Sequence, residues 1–368
     1  MLRSSVQTIN RYRTATEHLL RFLESRPVRH ASQFTTGHAE EFVRYLRRVE
    51  VSPNGHANTD KRRLMDKGLR YVLECCRALF NFAATCRHLS PYSQNPFSSL
   101  RIDRIPVENA RPVVLLTDEQ EEAFFERCDD WQFPLFLTLS SIGLRPGELC
   151  HLLLPDDLDL ERLTLHVRNK PTLGWRVKTG QERTVPLLPE LAEVLRLHLD
   201  RRKNGPVFRR RQFTGDEPAW SSGNFAGLET EMRKRIDEAG ASSDRVAVSK
   251  LAKGLWRDLG AVREDGVRVE FMRLTESIGV AEQTAPKVQR HRFATSLQEG
   301  RVDPLVRNLL MGHGPAGQRP AGHGLGMTAV YTHTSEKTVR EQLAEALQPR
   351  PALRVARTRL DDSPDKPI

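Results

Sequence analysis

The sequence predicts a mainly α-helical protein with one small antiparallel β-sheet, divided into two domains. Three observations carry that expectation. Between residues 5 and 100, apolar side chains such as Leu19, Leu20, Phe22 and Leu23, then Phe42, Tyr45 and Leu46, recur at helical spacings of three and four. Short β-rich segments gather in one place only, residues 163 to 188. An aperiodic stretch with two prolines, RIDRIPVENARPVV, separates the first helical region from the rest. The 368 residues are enough to bury two cores of ordinary size.

The first domain is read as residues 1–104, all helical. LRYVLECCRALFNFAATCRHL is its strongest helix, and SPYSQNPF ends it with turn residues and prolines. A linker follows over 105–116. The second domain, 117–348, opens in LTDEQEEAFFERC, with Thr117 as a helix N-cap followed by Glu119. Within it LTLHVRN, GWRVKTG and RTVPLL read as three antiparallel strands, with Lys178 in the turn KTGQE between the second and third. Residues 205 to 285 are polar and mixed and give no assignable pattern. The tail, 349–368, is rich in Pro, Arg and Asp and is expected to be disordered.

Charge is distributed unevenly. Residues 1–104 hold 18 Lys or Arg against 9 Asp or Glu, so nearly all of the net +10 sits in the first domain. Such a concentrated positive field attracts a polyanion such as DNA; the alternative is a solvated basic face. The run DKRRLMDKGLRY sets Lys61, Arg62, Arg63, Lys67 and Arg70 on neighbouring turns of one expected helix, as candidate DNA-backbone contacts. No apolar run approaches the ~18 residues of a membrane span, and MLRSSVQTINRYR lacks the apolar core of a secretory signal, so a cytoplasmic protein is expected. The five cysteines are odd in number and lack metal-site spacing, which suits reduced structural thiols.

Several polar residues have unusual settings. In SSIGLRPGELCHLLL, Arg145 sits at a helix junction, after a glycine and before a proline that can open the next helix. In APKVQRHRFATSLQEG, Phe293 and Leu297 form an i, i+4 core pair, which starts Arg290 near the buried side. An arginine there is costly unless it meets an anion or a carboxylate, and Glu148 is an evident salt-bridge partner for either arginine. In VDPLVRNLLMGHG, Asp303 and Pro304 start a helix that Gly312 stops, leaving His313 just past its end. VYTH places Tyr331 among small and hydroxylated residues rather than in an apolar run. Two arginines that grip phosphate oxygens, a lysine that donates a proton and a tyrosine that attacks phosphorus together describe phosphoryl transfer, with cationic side chains doing the work often given to Mg²⁺.

The ordered set GLRPGEL, VKTGQERTVPL, RHRFATSL, LLMGH and VYTH resembles the catalytic domain of the tyrosine recombinases, or phage integrase family. The first domain, with NPF before the linker, is similar to that family's helical, SAM-like core-binding domain, so the resemblance spans roughly residues 5–347. It implies a site-specific DNA recombinase working through a covalent 3′-phosphotyrosine, without ATP, metal or other cofactor. By position, Arg145 and Arg290 would be the catalytic arginines, Glu148 a supporting acid, Lys178 the proton donor, His291 a packing residue, His313 the site histidine and Tyr331 the nucleophile. Lys287 stands where the family usually has histidine. A glycine- and proline-rich stretch, GPAGQRPAGHGLG, lengthens the gap before Tyr331 and offers His323 as an alternative to His313. With no cysteine or acid interleaved among these histidines, no metal site is read. The implied partners are double-stranded DNA and further copies of the chain assembled on it. Alternatives are a related topoisomerase or hairpin-end resolvase, and an inactive DNA-binding protein on the same scaffold.

Overall fold

A computed structural model describes residues 6–52, 60–90, 92–106, 114–213, 224–242, 244–313 and 334–362. The chain divides into two compact units between Pro112 and Val113.

The first unit is built on helices α1 (Val6–Leu23), α2 (Thr36–Leu46) and α3 (Asp66–Thr85). Its core is aromatic: Phe22, Phe34, Phe42, Phe80 and Phe97 are all buried, with Phe34 and Phe97 stacked 5.5 Å apart. The NPF turn has a physical role here. The Asn95 side chain donates to the Arg77 carbonyl (2.8 Å) and accepts from the Phe97 backbone N–H (2.9 Å), which aims Phe97 into that core. Two short strands, β1 (Glu50–Val51) and β2 (Arg62–Arg63), pair antiparallel between α2 and α3. The expectation that Lys61, Arg62, Arg63, Lys67 and Arg70 share one helix is therefore corrected. Lys61 to Arg63 lie at the hairpin because Arg62 and Arg63 ladder with Val51 and Glu50, and α3 begins only at Asp66. Arg62, Arg63, Lys67 and Arg70 nevertheless line one groove of about 1090 Å³, together with Arg11 and Tyr71.

The second unit wraps around α5 (Gln132–Ile142), whose every residue is buried. Before it comes α4 (Asp118–Arg127), which begins as expected at Thr117, whose hydroxyl accepts from the Gln120 N–H. Gly143 ends α5 with φ 64°, and a Cβ there would come 2.2 Å from the Phe293 ring, so only glycine fits this corner. After α6 (Pro146–Leu149) and β3 (Leu153–Leu154), one antiparallel sheet runs β4 (Leu158–Asp159), β5 (Thr164–Val167) and β6 (Arg183–Pro186). The GWRVKTG segment is not a strand. Trp175 makes a single bridge with Lys170, and the Asn169 side chain accepts from the Val177 N–H and donates to the Gly180 carbonyl, so a side chain rather than a ladder holds this loop. The third strand of the sheet is instead Leu158–Asp159. Lys178 does fall in a turn.

Helix α7 (Pro189–Leu199) and strand β7 (Gly205–Pro206), paired with β3, lead into the stretch that had no assignable pattern. Among its described residues, that stretch holds three α-helices, α8 (Phe225–Glu238), α9 (Arg245–Asp258) and α10 (Glu264–Ser277). The first two share a small core of their own around Leu228, Met232, Leu255 and Trp256. The site-bearing helices α11 (Lys287–Glu299) and α12 (Pro304–Met311) follow, then α13 (Glu336–Leu347). Val339, Leu343, Ala346 and Leu347 of α13 are buried in their own unit.

The tail expected to be disordered contains a helix, α14 (Pro351–Asp361). Ala352, Leu353, Val355 and Ala356 join the main core, and Arg350 is itself buried, giving hydrogen bonds to the Ser140 carbonyl (2.7 Å) and an ion pair to the buried Glu121. Its arginines are thus partners for acids far away in the chain rather than solvated charges. Arg350→Ala takes from the buried Glu121 its nearest cation and leaves it Arg292 at 3.6 Å and the Ser140 hydroxyl at 3.4 Å, so it should lower the unfolding free energy by about 1–3 kcal/mol in a denaturant titration; an unchanged midpoint would show the anchor to be idle.

His151 stacks on Trp175 at 4.9 Å and is held by the Gly147 carbonyl at 2.6 Å. Burial pushes its pKa from 6.5 down to about 4. The unfolded chain therefore takes up this proton at higher pH than the folded one, and stability is lost as pH falls from about 6.5 towards 4. Between pH 7 and pH 5, His151→Phe should lose about 2 kcal/mol less than the unaltered protein does in urea unfolding.

Candidate active site

Arg145 caps the short helix α6 in an extended conformation, and Pro146 takes the first helical position. Three residues on, Glu148 turns back towards it. The Arg145 backbone N–H donates to Oε2 (3.0 Å) and its Nη1 donates to Oε1 (2.7 Å) of Glu148. Glu148 is 2% exposed, whereas the Arg145 side chain keeps 22% of its surface open. A second guanidinium, from Arg183 of β6, reaches the same carboxylate, Nη2 to Oε2 at 2.7 Å and Nη1 to Oε1 at 3.3 Å. Burial alone would raise the Glu148 pKa, but the hydrogen bonds and charges of Arg183 and Arg145 outweigh it and hold the carboxyl below its usual value.

Arg290, on the inner face of α11 beside Phe293, is 4% exposed. Among the described residues it forms no ion pair with a carboxylate; it donates instead to two backbone carbonyls, those of Gly143 and Met311. These bonds fasten α11 both to the corner before Arg145 and to the end of α12. Burial first, and then the neighbouring charges of Arg145 and Arg183, push its pKa down to about 10, which still leaves it cationic at neutral pH. Gly312 closes α12 with φ 61°, and its carbonyl accepts from the Thr179 hydroxyl (3.2 Å), bringing the Lys178 turn against the chain that leads into His313. Three guanidinium groups and one carboxylate thus share a small buried region, an arrangement suited to an anion with several oxygens, such as a phosphate.

The profile of the phage integrase family matches residues 115–337, more than half of the chain. The chain belongs to the phage integrase family. No curated protein sequence matches it. Among solved structures, this integrase-family chain is similar to the Tn1549 transposon integrase in complex with circular intermediate DNA, with a TM-score of 0.54 and 19% identity over 93% of this chain and 94% of that one. It is also similar to a lambda integrase dimer bound to a COC′ core site, with a TM-score of 0.54 and 13% identity over 88% and 93%. At these identities the likeness is one of fold: a mainly helical chain with small antiparallel sheets.

In this phage integrase fold, Arg145, Glu148 and Arg290 come together, with the Lys178 turn and His313 joined through Thr179 and Gly312. Lys287 and His291 lie on α11 with Arg290. Lys287 is exposed, and His291 is partly buried, its pKa lowered by burial and by the charges of Lys287 and Arg290. Tyr331 and the alternative His323 lie outside the described residues. Sequence reasoning missed Arg183. The signal was available: in RTVPLL, strand alternation puts residue 183 on the same inward face as Val185, and an arginine facing inward needs a buried acid.

Proposed function

We propose that the protein is a site-specific recombinase that cuts and rejoins double-stranded DNA through a 3′-phosphotyrosine. The observation that carries this reading is the pair of arginines, Arg145 and Arg290, held in one buried cluster by Glu148 and by two backbone carbonyls. Each keeps N–H donors for the non-bridging oxygens of a scissile phosphate, in a fork that matches paired phosphate oxygens. The Tyr331 oxygen bonds to phosphorus as the bond from phosphorus to the 5′ oxygen breaks. The phenolic proton passes to His313, and Lys178 protonates the departing 5′ oxygen. Lys287, in the place of the family's usual histidine, adds a contact to phosphate, and His291 packs the site. Because the phosphotyrosine ester keeps the bond energy, a different 5′-hydroxyl can reverse the step and join new strands, with no call for ATP or metal.

The partners in this reading are duplex DNA and further copies of the chain assembled on it. The two similar structures were both solved with DNA, and that of lambda integrase is a dimer. The basic first unit, with Arg62, Arg63, Lys67 and Arg70 lining its groove and Lys61 next to Arg62 in the chain, supplies a second surface for phosphate. No helix among the described residues is long and apolar enough to cross a membrane.

Nicked duplexes of randomised sequence test the reading. Incubated with the protein in excess chelator, they should yield a denaturation-resistant protein–DNA adduct, and sequencing the attached strand reports the preferred site. Adducts that require added Mg²⁺ or Zn²⁺ would overturn the mechanism.

A further inference from the structure

Both oxygens of Glu148 are saturated. Oε1 accepts from Nη1 of Arg145 and Nη1 of Arg183, and Oε2 accepts from the Arg145 backbone and Nη2 of Arg183, which fills about all the acceptor sites a carboxylate has. The two arginines are not equivalent. Arg183 is enclosed, with 1% of its side chain exposed, and spends both terminal nitrogens on Glu148; Arg145 is partly open and spends only Nη1. An acid that held Arg145 alone would orient it but cancel its charge. That would defeat a side chain meant for an anion. A second, enclosed guanidinium removes the conflict, because the group of three then carries a net positive charge that is accessible only at Arg145.

The same guanidinium also sets the neighbouring edge of the site. A Cβ on residue 312 would lie 2.8 Å from Nη1 of Arg183, so Arg183 packs flat against the left-handed glycine that leads into His313.

We propose that Arg183 is a positioning residue for the strand-cleavage chemistry: it offsets the charge of Glu148, so that Glu148 aims Arg145 at the scissile phosphate without neutralising it. The inference rests on the reading of Arg145 as a phosphate clamp. Arg183 never meets DNA; its effect reaches the reaction through Arg145.

A double-mutant cycle on Arg145 and Arg183 provides the test, reading single-turnover cleavage of the nicked duplex at a temperature where each variant is folded by circular dichroism. Arg183→Met should slow cleavage by at least ~10-fold in the otherwise unaltered protein, a part of what one electrostatic donor supplies. In the Arg145→Ala background the same change should alter the rate by less than ~3-fold, because the residue it serves is gone. Arg183→Lys, which keeps the charge, should recover most of the lost rate. Should Arg183→Met fail to fold, Glu148→Gln is compared with Glu148→Gln combined with Arg183→Met: once the carboxylate is gone Arg183 has no charge to offset, so the two should cleave within ~3-fold of each other, and a further loss of ~10-fold or more would overturn the inference. An equal loss in both backgrounds overturns the inference alone, since it would make Arg183 a support for the fold. A normal rate from Arg145→Ala overturns the functional reading and this inference with it.

Discussion

Tyr331→Phe is expected to bind duplex DNA as tightly as the unaltered protein and to form no denaturation-resistant adduct on a nicked duplex. Phenylalanine keeps the ring and removes only the oxygen that would bond to phosphorus, so binding and chemistry separate cleanly. The effect should be all or none. A missing nucleophile cannot be replaced by positioning, whereas loss of a helper leaves residual rate. Electrophoresis of labelled DNA under denaturing conditions reads the adduct, and a binding titration on the same duplex reads affinity. An adduct of normal yield from the variant would move the nucleophile to another residue.

Arg145→Ala and Arg290→Ala should each reduce strand cleavage by at least ~100-fold, the usual cost of removing one donor that stabilises a developing anion. The two substitutions should differ in their second effect. Arg145 is partly open and its removal leaves Glu148 still paired with Arg183, so unfolding should change little. Arg290 is enclosed and ties the Gly143 and Met311 carbonyls together, so its removal should also destabilise the unit by about 1–3 kcal/mol per orphaned carbonyl. Rates measured with and without chelator, beside denaturant midpoints for both variants, separate the two contributions. Equal destabilisation by both would contradict the distinct settings described for them.

How much of this was legible beforehand depended on how local the signal was. Thr117, Pro146, Asp303 and Gly312 mark helix ends through the chemistry of a few adjacent residues, and the helices begin or stop there. Arg145, Glu148 and Arg290 were readable as a group because each lies in a short motif of fixed order, whereas Arg183 was not, because its role appears only with its carboxylate partner 35 residues away. Other features depend on partners distant in the chain. At the start of α14 and within it, Arg350 and Arg357 meet Glu121 and Glu190, so a segment that reads as solvated charge is a packed helix. The β1–β2 ladder is two residues long and its second strand is exposed, leaving no alternation to detect. Helices α8 and α9 bury narrow faces, such as Leu228 with Met232 and Ala252 with Leu255, among many charges that obscure the period.

The packed C-terminal helix also decides where this protein can be shortened or joined to another. A fragment ended at residue 348 would lose the buried Leu353, Val355 and Ala356 and leave Glu121 without Arg350, exposing apolar surface on α4 and α7. Such a fragment invites aggregation and proteolysis whatever the state of its active site. A loss of activity on trimming the tail would then report a broken core rather than a missing contact to DNA or to a neighbouring copy. Tags and fusions belong beyond Asp362, where the last described turn of the helix has ended.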